Sequence, residues 1–288
     1  MHDIPGRRVA LDYGEQADWL HRNADRETER YARLAAELTR DGDALLVDVG
    51  CGAAGMALAL AAARPRARVV ALDSEAAVVA MARERAAEAG ADIEAVLCDI
   101  EDPVQAKAAI DRPADLIWAG HVVHHFVDQQ AAVADLAARL APGGRLAIVE
   151  GGLGARYLPW DLGLGRPGLE HRLIEAGSRR MEAENAERSA APLPYGWNEV
   201  LERAGLAEVR SLHLPVVHPA PLRGDVLDAA LAAMAARLGW FADFLSEQDR
   251  ATWAALLDAD GPHWLGRRRD LHHLEIQSVY IGVNTEAP

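Results

Sequence analysis

The sequence predicts an α/β fold: a doubly wound, mostly parallel sheet preceded by N-terminal helices and carrying a helical insertion near its end. Three observations carry this reading. From residue 42 to residue 150, short apolar runs rich in β-branched residues alternate with helical runs. The strand-like runs show no period-2 polarity, which means burial on both faces. The first of them ends in a glycine-rich turn that leads directly into a helix.

The elements follow in order. Between Asp18 and Leu38 the positions Leu20, Ala24, Tyr31, Leu34 and Leu38 keep near-helical spacing, and "DGD" then breaks the run. "ALLVDVG" reads as the first strand, "AGMALALAAARP" as a buried helix stopped by Pro65, and "ARVVALD" as the second strand. "SEAAVVAMARERAAEAG" is a helix with Ser74 as its start signal and Gly90 as its stop. "IEAVLCD", "ADLIWAG" and "RLAIVEG" continue the strands, the last two separated by the helix "QQAAVADLAARL" and a turn "APGG". After Glu150 glycine and proline accumulate. A helix over "EHRLIEAGSRRMEAENAERSA" follows, then "GWNEVLERAGL", a strand "AEVRSLHLP", and a helix over about 225–245. Ser246 with Asp249 resembles a capping box, and "LEIQSVYIGVN" is the closing strand. The parse gives roughly seven strands and three regions: a helical cover over 1–41, a core over 42–150, and an insertion plus the last two strands over 151–288.

Bulk composition narrows the function. Half of the 288 residues are hydrophobic and 26% are charged, enough to build a sizeable core. The net charge of −14 argues against nucleic acid, which needs a basic face. Lys107 is the only lysine, and alanine is abundant, which fits a GC-rich coding bias. The two cysteines, Cys51 and Cys98, are far apart and form no CxxC, so reduced thiols in the cytoplasm are expected. No signal-peptide core and no membrane-length apolar run is present in the sequence.

"VDVGCGAAG" lies at the first strand-to-helix turn, where Gly50, Gly52 and Gly55 fit GxGxxG. Glycines allow a tight turn and close backbone approach, and the helix N-terminus offers free N–H groups. A bare match of this kind also occurs as a turn without a ligand, so the acids around it matter. Asp73 ends the second strand, 23 residues after Gly50, where a carboxylate can accept both hydroxyls of a ribose. Asp99 ends the third strand. Asp48 precedes the loop by two residues, and would repel a pyrophosphate while favouring a cationic ligand. That points to S-adenosylmethionine (SAM) over NAD.

On these residues the chain resembles the class I SAM-dependent methyltransferases, whose fold is Rossmann-like. "LLVDVGCGAAG" is similar to the family's first motif, "VVALD" to its ribose-binding strand end, "LCDIED" to its acidic adenine motif, and "LAPGGRLAIVE" to the turn and strand after its fourth helix. The resemblance implies that Asp48, Gly50 and Gly52 line the methionine part of SAM and that Asp73 holds the ribose. Asp99 and the backbone at Ile100 would meet the adenine, Leu72 and Ser74 would flank the ring, and Ala119 would line the same pocket. Ala54 departs from the pattern, since many members carry glycine there; a helical first turn would accommodate alanine with slight crowding. A wider resemblance, through "WAGHVVHHFVD", "RYLPWDLGLGRPGLEHRL" and "RRRDLHH", is to actinobacterial small-molecule methyltransferases.

"WAGHVVHHFVD" places His121, His124 and His125 in the loop after the fourth strand, at the edge where open α/β sheets bind ligands. "VHH" is similar to an "LHH" common in the family, which implies one imidazole tied to backbone and one packed near the cofactor. No HExxH-type partner accompanies the cluster, so no metal is expected. His121 is the favoured general base, because imidazole titrates near neutrality; a plain loop histidine is the competing reading, and His124 is the runner-up. Tyr13, Trp19, Tyr157 and Trp160 are the expected acceptor contacts, the last two because a Gly/Pro-rich loop has no core of its own to bury them. Trp240, Phe241 and Phe244 read as core. His213, His218, His263, His272 and His273 receive no role.

The functional expectation is methyl transfer from SAM, leaving S-adenosylhomocysteine, to a small-molecule acceptor in specialised metabolism, without nucleic acid or membrane partners. A NAD-dependent oxidoreductase, a SAM-fold protein catalysing a non-methylating rearrangement or cyclisation, and a SAM-binding regulator stay open. So do a monomer and a homodimer.

Overall fold

A computed structural model of the 288-residue chain describes residues 27–191 and 193–285. Tyr13 and Trp19 lie outside the described residues. The chain divides into two compact units, the first comprising Met1–Glu150, Leu193–Ser211 and Val279–Pro288, the second Gly151–Pro192 and Leu212–Ser278.

In the first unit, β1 (Leu45–Val49), β2 (Arg68–Asp73), β3 (Ile93–Leu97), β4 (Ala114–Gly120) and β5 (Leu140–Val149) pair in parallel in the order β3-β2-β1-β4-β5. The C-terminal part of β8 (His273–Val283) adds an antiparallel edge against β5. All five residues of β1 are buried, as a strand covered on both faces requires. Helix α1 (Thr28–Leu38) packs on α2 (Gly55–Ala63), which follows the glycine loop. Helices α3 (Ala76–Glu88), α4 (Pro103–Ala109) and α5 (Gln129–Ala137) complete the crossovers, and α7 (Trp197–Arg203) lies against α5. Because the winding reverses between β1 and β4, a crevice opens at their carboxyl ends.

Two local expectations change. Ser74 is not the cap of α3: the N-cap is Glu75, without a side-chain cap bond. Asp73 already supplies an acceptor there, taking the Glu75 N–H at 3.1 Å. Gly90, by contrast, ends the helix as read, at φ +60°, with the Ala91 N–H on the Ala86 carbonyl. The "APGG" segment is not a separate turn but a bulge inside β5, since Ala114 pairs with Leu140 while Leu116 pairs with Arg145.

In the second unit, α6 (Leu169–Glu187), α8 (Gly224–Phe241) and α9 (Glu247–Leu257) enclose a core that includes Leu173, Met234 and Trp253. Phe241 and Phe244 pack against this core, whereas Trp240 is exposed. Ser246 caps α9, accepting the Asp249 N–H at 3.1 Å. Among the described residues the sheet has eight strands, one more than read: β6 (Leu153–Arg156) pairs antiparallel with the first half of β8. Its glycine-rich sequence carries no strand signal. β7 (Ala207–His218) also pairs with β8, and α8 and α9 are inserted between them.

Candidate active site

The glycine loop is held from both sides. Gly50 has φ +66°, and a Cβ there would stand 2.6 Å from Val122 Cγ2, so only glycine fits. The Cys51 N–H bonds the Leu72 carbonyl at 2.9 Å, and the Gly52 N–H reaches the Asp73 carboxylate at 3.1 Å. Asp73 therefore ties the loop to the end of β2 while remaining partly exposed. Burial raises its pKa, against the lowering effect of the backbone N–H groups of Glu75 and Gly52.

Ala54 does not sit in a helical first turn. It is the N-cap of α2 in the left-handed region, φ 58° and ψ 22°, and fully buried. Glycine would adopt this conformation without the Cβ penalty that alanine meets.

Asp48 is buried in the middle of β1 and accepts the Ala57 N–H of α2 at 3.0 Å. Burial pushes its pKa up to about 7, partly offset by that bond and reinforced by Asp73. Tyr31 on α1 belongs to the same neighbourhood: burial and then the Asp48 charge push its hydroxyl to about 12. Leu72 and Ala119 are fully buried in the core, so neither side chain is available to a ligand. Ser74 is exposed. Asp99 and Ile100 are partly buried at the end of β3, where Asp99 accepts the Glu101 N–H at 3.1 Å.

The histidine loop is a single 3-10 turn, Val123–His125, anchored by buried Val123. His121 is exposed, at φ 55°, with its N–H on the Val149 carbonyl at 2.9 Å. His124 is the fixed member. Its ring Nδ1 lies 2.8 Å from one Glu150 carboxylate oxygen, and its backbone N–H donates to the other at 3.2 Å. The imidazole is thus tied to a carboxylate and not to backbone. His125 stacks obliquely on His124, ring centres 4.0 Å apart. Among the described residues, no three His, Cys, Asp or Glu side chains converge as a metal site.

Glu150 is the residue that sequence reasoning missed. An acid at the carboxyl end of the buried strand "LAIVEG" was the available signal. Tyr31 was read only as a helix position.

In the second unit Tyr157 is buried after all, contrary to the expectation for a loop aromatic. The Glu170 carboxylate accepts the N–H groups of Tyr157 and Leu158 at 3.0 Å each, and the Tyr157 ring sits 4.9 Å from that of His273. His218 stacks on His273 at 5.6 Å, a grouping that the sequence did not disclose. Trp160 is 63% exposed, edge-on to His171 at 5.1 Å.

Comparison with known proteins agrees with this layout. Residues 46–144 match the family model described as a methyltransferase domain. A trans-aconitate 2-methyltransferase of Variovorax paradoxus is 34% identical over 135 residues, 46% of this chain and 49% of the relative. The chain thus spans about half the length of that curated relative, and likewise 46% of one from Azoarcus sp.. A trans-aconitate 2-methyltransferase of Paracidovorax citrulli aligns over 83% of this chain and 86% of its own length at 28% identity. Among solved structures, YcgJ from Bacillus subtilis superposes with TM-score 0.52 at 18% identity, covering 90% of this chain and all of that one. Phosphoethanolamine N-methyltransferase 2 of Haemonchus contortus, solved with SAM, gives TM-score 0.51 at 15% identity over 97% of this chain and 59% of that one. In its sheet order, its glycine loop and the matched domain over residues 46–144, the chain is similar to the class I SAM-dependent methyltransferases.

Proposed function

We propose that the protein binds SAM in the crevice at the carboxyl ends of β1–β4 and transfers its methyl group to a small-molecule acceptor. The observation that carries this is the Asp73 carboxylate. Each of its oxygens takes one backbone N–H, from Gly52 and from Glu75, which fixes the group and leaves each oxygen able to accept a second hydrogen bond. That arrangement fits a ribose with two hydroxyls. SAM supplies a methyl group already activated by its sulfonium. Asp48, below the loop, favours the cationic methionine end, while Gly50 and Gly52 let backbone N–H groups approach it. Asp99 and the Ile100 backbone are assigned to the adenine, with exposed Ser74 flanking the ring. Leu72 and Ala119 contribute as packing beneath the pocket.

The chain's own task in such a displacement is to orient a nucleophile and exclude water. The 121–125 turn lies beside the glycine loop, through the contact of Val122 with position 50, and is placed on the reacting side. Of the two loop aromatics of the second unit, Trp160 is the one with an exposed ring and Tyr157 the buried one. A role in specialised metabolism and a cytoplasmic location are part of this proposal, as is a small acceptor.

Calorimetry with SAM and with NAD tests the reading. SAM binds and NAD does not, and Asp73→Ala weakens SAM by about 1.5–3 kcal/mol, the scale of hydrogen bonds to a charged group. Equal affinity of wild type and variant for SAM would remove the ribose assignment.

A further inference from the structure

We propose that Glu150 is a positioning residue that fixes the tautomer of His124, and that His124 takes the proton of a neutral O–H or N–H acceptor during methyl transfer. This rests on the methyltransferase reading above.

Glu150 is 3% exposed, and both of its oxygens are committed to one residue. One accepts the His124 backbone N–H, the other faces ring Nδ1. An ionised carboxylate only accepts, so neutral His124 must carry its proton on Nδ1, and Nε2 is left with a lone pair. The double attachment also fixes the ring on a turn whose neighbours are packed: Val123 is buried, and Val122 packs against position 50 of the glycine loop. A base oriented by a second group is the arrangement general-base catalysis requires.

The step balances. The acceptor's oxygen or nitrogen forms the bond to the methyl carbon, the methyl–sulfur bond breaks with its electron pair kept on sulfur, and the acceptor proton moves to His124 Nε2. A carboxylate acceptor, already ionised at neutral pH, has no proton to give and no use for this pair. The inferred substrate class is therefore a hydroxyl, phenol or amine, and differs from the tricarboxylate in the relatives' name.

Glu150→Gln supplies the test. An amide offers one acceptor and one donor to two donors. If its oxygen keeps the backbone N–H, its NH₂ confronts Nδ1 and drives the ring to the Nε2–H tautomer. Long-range ¹H–¹⁵N spectra of histidine-labelled protein, with His124 assigned through His124→Gln, show the Nδ1–H form in wild type and the Nε2–H form in Glu150→Gln. With SAM and a panel of phenols and amines, Glu150→Gln lowers kcat by about 10²- to 10⁴-fold at unchanged KM. SAM affinity by calorimetry and the thermal midpoint stay near wild type. An Nε2–H tautomer in wild type, or an unchanged tautomer in the variant, overturns the positioning role whether or not SAM binds. Methylation of trans-aconitate at equal rates by both proteins overturns the substrate class. Failure of wild type to bind SAM would instead defeat the methyltransferase reading, with the tautomer result standing apart.

Discussion

Val122 fills the space that any side chain at position 50 would need: an ideal Cβ on Gly50 would lie 2.6 Å from Val122 Cγ2 and 2.8 Å from its Cβ. The glycine loop and the histidine turn are therefore braced on each other. Gly50→Ala meets two penalties, a left-handed backbone worth about 1–2 kcal/mol and an overpacked contact worth about 1–3 kcal/mol. Urea unfolding is expected to show a loss of about 2–5 kcal/mol. Val122→Ala in the same chain should restore part of it. A double variant no better than Gly50→Ala would mean that backbone strain acts alone.

Ala54 makes the opposite comparison. Changing it to glycine relieves the left-handed strain, about 1–2 kcal/mol, but removes a buried methyl and frees the unfolded chain, about 1–2 kcal/mol together. Ala54→Gly should thus lie within about 1 kcal/mol of wild type. Ala54→Val places a branched side chain in the same conformation with no space around it, and should destabilise by more than about 2 kcal/mol. A stable valine variant would show that the loop does not hold this backbone.

The fold of residues 42–150 was legible because buried parallel strands and their crossover helices write themselves as alternating apolar blocks. β1 and Asp73 are examples, one an unbroken apolar run and the other an acid at a strand end. What escaped were features that depend on contacts distant in sequence. Glu150 and His124 stand 26 residues apart, and only pairing of β4 with β5 brings their ends together. β6 lacks apolar alternation and exists because β8 offers it a partner. Leu72 and Ser74 look alike as neighbours of Asp73, yet strand geometry buries one and exposes the other.

In the second unit, the Ser246 hydroxyl caps α9 and also bonds the Asp249 carboxylate at 2.8 Å, while Arg172 and Arg166 hold that carboxylate. Ser246→Ala is expected to cost about 1 kcal/mol in unfolding free energy, the usual loss for an N-cap hydroxyl. Asp249→Ala should cost more, since it strands both guanidinium partners around a buried position. Equal losses for the two variants would make the cap the only contributor.

Asp48 should make both stability and SAM binding depend on pH. Its folded pKa of about 7 lies above the ordinary 3.8 because burial penalises the ionised form. Between those values the folded chain holds a proton that the unfolded chain has released, so this residue's contribution to stability falls as pH rises through the interval. The full change is on the order of 4 kcal/mol. Asp73 is shifted in the same direction, so wild type retains some slope from that group whatever happens at Asp48. Asp48→Asn keeps an acceptor for the Ala57 N–H and cannot ionise. Its unfolding free energy should therefore change less between pH 5 and pH 8 than that of wild type, with the two proteins diverging as pH rises. A cationic ligand end near Asp48 favours the ionised carboxylate. SAM binding at pH 6.5 should then release protons, seen as a dependence of the calorimetric enthalpy on the ionisation enthalpy of the buffer. The release should shrink in Asp48→Asn. Identical proton release in wild type and variant would place the methionine end of SAM away from Asp48.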